Sequence, residues 1–247
     1  MSHPFDPNQL QFFLTIPSPC PYLPGRMERK IFTQLDPLDG PHLNNYLTHA
    51  GFRRSQNVIY RPACENCREC RSLRVKAMEF SPGRTFKRTI KKNADLRLTI
   101  APAIATTEQF DLLNRYLLHR HPGGGMTDMD MMRYEMMVEE CASETEIMEY
   151  RDADHQLIAC MLVDRLNDGL SLVYSFFDPD ASHRSLGNFM ILDQLRQASQ
   201  EGLPYVYLGY WVPNSPKMDY KIRFQPAEIL GHRGWIHMPD TQKRASQ

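Results

Sequence analysis

Three of the chain's six cysteines are spaced two residues apart, as Cys64-x-x-Cys67-x-x-Cys70. That spacing lets successive thiolates converge on one cation from a tight loop. Cys20, flanked by Pro19 and Pro21, is the best fourth ligand. Four thiolates suit tetrahedral Zn²⁺ or an iron–sulfur cluster, in a structural or redox role. Three free or redox-active thiols in a loop is the other reading, and spacing does not separate the two. Cys141 and Cys160 fall in core-like stretches and read as buried, inert thiols.

A second chemistry is carried by cations. Arg84, Lys87, Arg88, Lys91 and Lys92 recur at i, i+3, i+4, i+7 and i+8, so on a helix they line one face, with Phe86, Ile90 and Ala94 opposite. Such a stripe repels itself unless an anion lies across from it. A phosphate backbone is the natural partner, bound in a salt-sensitive, sequence-independent way; a solvated basic face is the alternative. The surroundings favour the polyanion. Residues 53–97 hold 13 Lys/Arg against 4 Asp/Glu, whereas residues 102–182 hold 5 against 16, inside a chain of net charge zero.

Two further stretches carry polar chemistry. Arg184-Ser185-Leu186-Gly187-Asn188-Phe189 stands where acyl-CoA-dependent transferases place a pyrophosphate loop at a helix N-terminus. Phe189 at its end is expected to obstruct a phosphate, which argues for that fold and against coenzyme A. The stretch 207–230, YLGYWVPNSPKMDYKIRFQPAEIL, packs aromatics with Lys217, Asp219, Lys221 and Arg223, and Lys217 and Lys221 share a face if it is helical. His119 and His121 flank an arginine before three glycines, with no acid at ligand spacing, and read as loop-structural. Met129, Met132, Met136 and Met137 read as a core face, though methionine also suits a pocket for an aliphatic side chain.

These residues need elements to hold them. The pattern predicts helices over 41–50, 82–93, 107–118, 128–141, 185–201 and 215–224, with Ser81 capping the second. It predicts strands over 57–61, 72–80, 96–100, 146–151, 157–165, 170–177, 205–209 and 227–230. Asn167-Asp168-Gly169 is a tight hairpin signal, and 119–126 reads as a loop. The order is α+β: an N-acetyltransferase-like mixed sheet flanked by helices, single or duplicated, with a Cys-rich N-terminal region. The expected division is 1–100 (Cys-containing, basic), 101–238 (acyltransferase-like) and a loose tail, 239–247. With 42% hydrophobic residues a packed core is expected. No apolar run is long enough to span a bilayer and the N-terminus is unlike a signal peptide, so the expected compartment is the cytoplasm, without membrane or DNA partners.

Five stretches occur in order: SPCPYLPGR (18–26), GFRRSQNVIYRPACENCRECRSLRV (51–75), SPGRTFKR (81–88), YSFFDPD (174–180) and 207–230. Together they resemble the arginyl-tRNA–protein transferase family, in its bacterial branch, over nearly the whole chain. The resemblance implies an aminoacyltransferase that moves an amino acid from charged tRNA to the N-terminal amine of proteins beginning with Asp or Glu, marking them for degradation. In the bacterial branch the donor is leucyl-tRNA. One departure is visible: Leu23 stands where the eukaryotic branch has a second cysteine, so an identical metal centre is not implied.

The donor is an activated ester and the nucleophile an amine, so alignment and oxyanion stabilisation suffice, with no cofactor required for the chemistry. Tyr210, Asp219, Tyr220 and Lys221 are the expected residues near the reacting centre. Arg74 and Arg223, with Lys221, are expected to hold the acidic side chain of the acceptor, and the cationic stripe to hold tRNA. The competing readings are arginine as donor, a CoA-dependent N-acyltransferase, and a metal-stabilised RNA-binding module without transferase activity.

Overall fold

A computed structural model describes residues 10–120 and 129–238. Three two-residue strands, β1 (Phe13–Leu14), β2 (Ser18–Pro19) and β3 (Met27–Glu28), lead to β4 (Lys30–Gln34), helix α1 (Gly40–His49), β5 (Arg53–Ser55) and β6 (Val58–Pro62). Then come β7 (Arg71–Lys76), α2 (Arg84–Lys92), β8 (Arg97–Pro102), α3 (Thr107–Arg120) and α4 (Met131–Glu139). The chain continues through β9 (Thr145–Arg151), β10 (Leu157–Leu166), β11 (Gly169–Phe177), α5 (Leu186–Gln200), β12 (Tyr205–Trp211), β13 (Ala227–Gly231) and β14 (Gly234–His237).

A small antiparallel sheet has the order β1-β4-β6-β5, and a large mixed sheet has the order β14-β13-β7-β12-β11-β10-β9-β8. The expected α+β class, a mixed sheet flanked by helices, is what the fold shows. The period-2 alternation of strands sorts the two faces of the large sheet. Met161 and Val163 of β10 point to the α5 side, with Met190, Leu192 and Leu195; Cys160 and Leu162 point to the α3–α4 side, with Leu113, Tyr134 and Val138. A third cluster, Leu35, Leu43, Leu47, Phe52 and Ile59, lies between α1 and the small sheet. The division expected at residue 100 falls inside β8, and β7 lies between β12 and β13, so the large sheet draws strands from both sides of it.

Within the large sheet only β11 and β12 pair in parallel, among the described residues, and for three residues: Gly169↔Tyr205, Leu170↔Val206 and Ser171↔Tyr207. Beyond Ser171 they diverge. Each keeps its antiparallel neighbour, β10 or β7, so a wedge-shaped notch opens between two well-anchored strands.

Several local expectations change. Helix α2 begins at Arg84 with Gly83 as its cap, without a side-chain cap bond, so Ser81 lies outside it. Its buried face is Phe86, Thr89 and Asn93, while Ile90 is 39% exposed, because Asn93 turns inward to bond the Thr89 and Arg184 carbonyls. Met132 and Met136 are exposed, and Tyr134 and Val138 fill the core in their place. No α-helix forms over 215–224; a single 3-10 turn covers Asp219–Arg223, in a stretch where Pro213 and Pro216 remove backbone donors. His119 and Arg120 end α3, and the rest of the 119–126 stretch through Met126, His121 included, lies outside the described residues, as does the tail from 239.

Candidate active site

The β11–β12 notch exposes backbone carbonyls that no strand pairs, and two basic side chains fill that need. Arg53, at the start of β5, donates to the Leu208 (3.4 Å), Leu172 (3.2 Å) and Val173 (2.6 Å) carbonyls, spanning the two splayed strands. Lys221 Nζ donates to the Leu208 (2.8 Å) and Tyr210 (2.6 Å) carbonyls. Gly209, at a bulge in β12 with φ +70°, makes room: a Cβ there would overlap the Arg53 guanidinium. Lys221 is 5% exposed, and burial, then the neighbouring Arg53 charge, pushes its ammonium well below the usual lysine range.

In front of this pair lies a cleft of about 490 Å³, continued by a lobe of about 170 Å³ that shares Arg53, Val173, Tyr174, Tyr220 and Lys221 with it. Met137, Leu162, Val173 and Met218 form an apolar wall. Among the described residues no Asp or Glu lines either part, whereas Arg53, Arg54 and Lys221 do. Arg54 is neutralised behind the wall: its Nε and Nη2 reach the fully buried Asp164 at 2.6 and 2.7 Å. Burial pushes the hydroxyls of Tyr174 and Tyr220 up, so both stay protonated donors. Tyr220 is 39% exposed as a whole residue, yet the atoms packed about its hydroxyl are enough for this shift.

The sequence-derived residues divide on this frame. Lys221 and Tyr220 line the cleft together. Tyr210 also lines it, but its hydroxyl is engaged by the Gly51 and Tyr60 carbonyls, both at 3.0 Å. Asp219 is exposed at the start of the 3-10 turn and is not part of the lining. Arg74 and Arg223 do not meet. Arg74 is held by Glu228 (2.7 Å) and the Tyr207 hydroxyl (3.1 Å), with its guanidinium stacked over Tyr205 (3.5 Å) and Trp235 (4.3 Å). Arg223 lies over the Phe86 ring at 5.3 Å, facing α2. Lys217 is exposed while Lys221 is buried, because without an α-helix residues four apart do not share a face. Arg53 was missed. Its signal was a doubled arginine after Gly51-Phe52, but nothing in spacing ties β5 to strands 120 residues away.

The loop before α5 also differs from expectation. Phe189 is 8% exposed and packs edge-on to Tyr150 at 5.6 Å, inside the core, so it does not obstruct the helix start. What occupies that loop is α2: Arg184 donates to Asn93 (3.0 Å) and pairs with Asp95, and Lys92 donates to the His183 carbonyl (3.1 Å). The C-terminal end of α2 therefore sits beside the loop that follows β11. Arg84, Lys87, Arg88 and Lys91 are exposed and have no ion-pair partner among the described residues.

The four clustered cysteines are neighbours. Cys70 is pushed up to about 12, by burial first and then by Cys20, Cys64 and Cys67. Arg26 donates to Cys67 Sγ at 3.2 Å, Cys64 faces the Arg29 carbonyl, and no group of three or more His, Cys, Asp or Glu among the described residues is arranged to hold a metal ion. Among the described residues no helix is long and apolar enough to cross a membrane.

Comparison with known proteins places this geometry in context. The family models "Arginine-tRNA-protein transferase, N terminus" and "Arginine-tRNA-protein transferase, C terminus" match residues 18–88 and 108–231. The chain is similar to the "Aspartate/glutamate leucyltransferase" of Maricaulis maris, 55% identical over 95% of this chain and 92% of that one. It is similar to the proteins of the same name from Caulobacter vibrioides, 54% over 99% and 90%, and Phenylobacterium zucineum, 52% over 99% and 97%. Among solved structures, a tandem GNAT protein from the clavulanic acid biosynthesis pathway overlaps 85% of this chain and 58% of its own at 10% identity, TM-score 0.40.

Proposed function

The chain belongs to the arginine-tRNA-protein transferase family, and we propose that it transfers leucine from leucyl-tRNA to the N-terminal amine of proteins beginning with Asp or Glu, with the β11–β12 notch as the reaction centre. The observation that carries this reading is the cleft's lining: cations, tyrosines and an apolar wall, without a carboxylate among the described residues. An acidic acceptor side chain is attracted to Arg53, which has two of its five N–H donors left after bonding Leu172, Val173 and Leu208. A leucyl side chain fits the wall of Met137, Leu162, Val173 and Met218. An arginyl side chain would bring a second guanidinium beside Arg53 with no counter-charge, a desolvated like-charge contact.

The chemistry follows from the same groups. The acceptor nitrogen attacks the ester carbonyl; the new amide C–N bond forms and the ester C–O bond breaks. Lys221, driven toward the neutral amine by burial and by Arg53 and bonded to the Leu208 and Tyr210 carbonyls, takes the proton that the attacking nitrogen sheds and returns it to the departing 3′-oxygen of the tRNA. Tyr174 and Tyr220 donate to the oxyanion of the tetrahedral intermediate. Tyr210 serves as the partition between the cleft and the cysteine-rich loop, and the α2 cations hold the tRNA backbone.

Radiolabelled leucyl-tRNA and arginyl-tRNA, each offered peptides beginning with Asp, Glu, Asn or Ala, test the reading. Leucine is expected on the Asp and Glu peptides. Arginine transfer at comparable rates would overturn the donor assignment, and binding of tRNA without any transfer would return the reading to an RNA-binding module.

A further inference from the structure

A second pocket, of about 470 Å³, lies on the far side of Tyr210 and shares that residue with the reaction cleft. It is lined by Gly51 just after α1, by Ser72 of β7, by Tyr210, and by Cys64, Cys67 and Cys70 of the loop before β7. Its rim carries four groups able to bear positive charge, Arg61, Arg68, Arg71 and His232, all exposed. No Asp or Glu lines it, and none of the four has an ion-pair partner among the described residues; Arg61 makes a ring contact with Phe52. Three arginines around one concavity repel one another, and an anion seated among them relieves that repulsion.

We infer that this pocket receives the 3′-terminal nucleotides of the donor tRNA, with Arg61, Arg68 and Arg71 on their phosphates. The inference rests on the transferase reading, and four features support it. The volume suits a nucleotide. Arginine forks match phosphate oxygens bidentately. Tyr210 is common to both walls, so the pocket and the cleft lie a single side chain apart. The α2 stripe, whose C-terminal end is bonded to the loop before α5, is then left for the helical part of the same polyanion, which is too thick for a pocket and suits an exposed helix face. An acidic acceptor peptide is the other anion available, and the test separates the two.

The experiment has a binding arm that needs no turnover. The trinucleotide CCA with a 5′-phosphate is titrated by calorimetry into the wild type, into Arg68→Ala/Arg71→Ala and into Lys87→Ala/Arg88→Ala, each checked for an unchanged melting profile. The trinucleotide is expected to bind the wild type and the α2 variant alike, and to lose roughly tenfold in affinity for each pocket arginine removed. In the transfer assay the pocket variant is expected to raise KM for leucyl-tRNA without raising it for an Asp peptide. The salt slope of its tRNA affinity should flatten by roughly 0.7 for each arginine removed. Equal trinucleotide binding by the wild type and the pocket variant, or a KM increase for the Asp peptide alone, overturns the assignment. Absence of leucyl transfer by the wild type sinks the transferase reading instead, and the calorimetric arm still decides whether the pocket binds nucleotide.

Discussion

Lys221 is the residue where position changes chemistry most. On a surface helix it would be an ammonium at neutral pH; at 5% exposure beside Arg53 it is driven toward the neutral amine. Lysine neutralises as pH rises through its folded pKa, so a base of this kind gives activity that climbs with pH through a point below the ordinary lysine value and then stays up. Lys221→Arg keeps the carbonyl contacts and removes the base. Its kcat is expected to fall by about 10²–10⁴, with little change in tRNA affinity; a variant that retains wild-type kcat would remove Lys221 from the mechanism. Donor choice is also set at this scale. Met137 is half-buried on the apolar wall, and Met137→Glu supplies the one charge the cleft lacks. Its use of arginyl-tRNA relative to leucyl-tRNA should rise about tenfold or more, measured as the ratio of kcat/KM values. An unchanged ratio would mean that donor choice is made elsewhere.

At the scale of elements, two devices hold the notch open. The first is the bulge in β12. Gly209→Ala puts a methyl where the Arg53 guanidinium sits and a side chain at φ +70°, so Arg53 must leave the carbonyls of β11 and β12. The expected result is a loss of roughly 1–3 kcal/mol in stability from the strain, and near-complete loss of transfer, read by urea unfolding and the peptide assay. The second device is the pair Arg54–Asp164, which bolts β5 of the small sheet to β10 of the large one at 2% and 0% side-chain exposure. Asp164 also accepts from Asn44 (3.1 Å) and Thr145 (2.7 Å), so α1 and β9 join the same buried network. Asp164→Asn leaves the guanidinium buried without its counter-charge and should cost about 3–5 kcal/mol in chemical denaturation. Because Arg53 is the next residue, this bolt also aims Arg53 at the notch.

At the scale of the whole molecule, zero net charge conceals a division of labour. Lys92, at the end of α2, bonds the loop that follows β11, and Arg71 stands opposite Trp211 at the end of β12, so positive charge reaches the diverging ends of both strands. Replacing Arg84, Lys87, Arg88 and Lys91 by alanine should reduce the slope of log affinity for tRNA against log salt by about 0.9 for each duplex phosphate left without its cation. Transfer to peptides from a minimal donor such as 3′-leucyl-adenosine should be untouched. A variant with an unchanged salt slope would make the stripe an ordinary solvated face.

Composition, spacing and period alone determined a good deal: the α+β order, most of the strands of the large sheet to within a residue or two, the exposed cationic stripe, and the proximity of Cys20 to the 64–70 run, while the short strands β1 to β5 carried no legible period. These are local properties, set by side-chain period, turn residues and charge, and a chain expresses them wherever it folds. Tertiary structure decided the rest. Arg53 and Lys221 are far apart along the chain, and no spacing rule links them; they meet because two parallel strands diverge and leave carbonyls that donors from elsewhere satisfy. Arg74, an attractive ligand in sequence, is neutralised by Glu228, which β13 carries to the neighbouring strand position. Asp219, Lys217 and Arg223 faced different ways once the stretch around them formed a 3-10 turn instead of a helix. Which charges remain free to meet a substrate depends on which find partners, and partners are assigned by the packing of distant strands, not by neighbours along the chain.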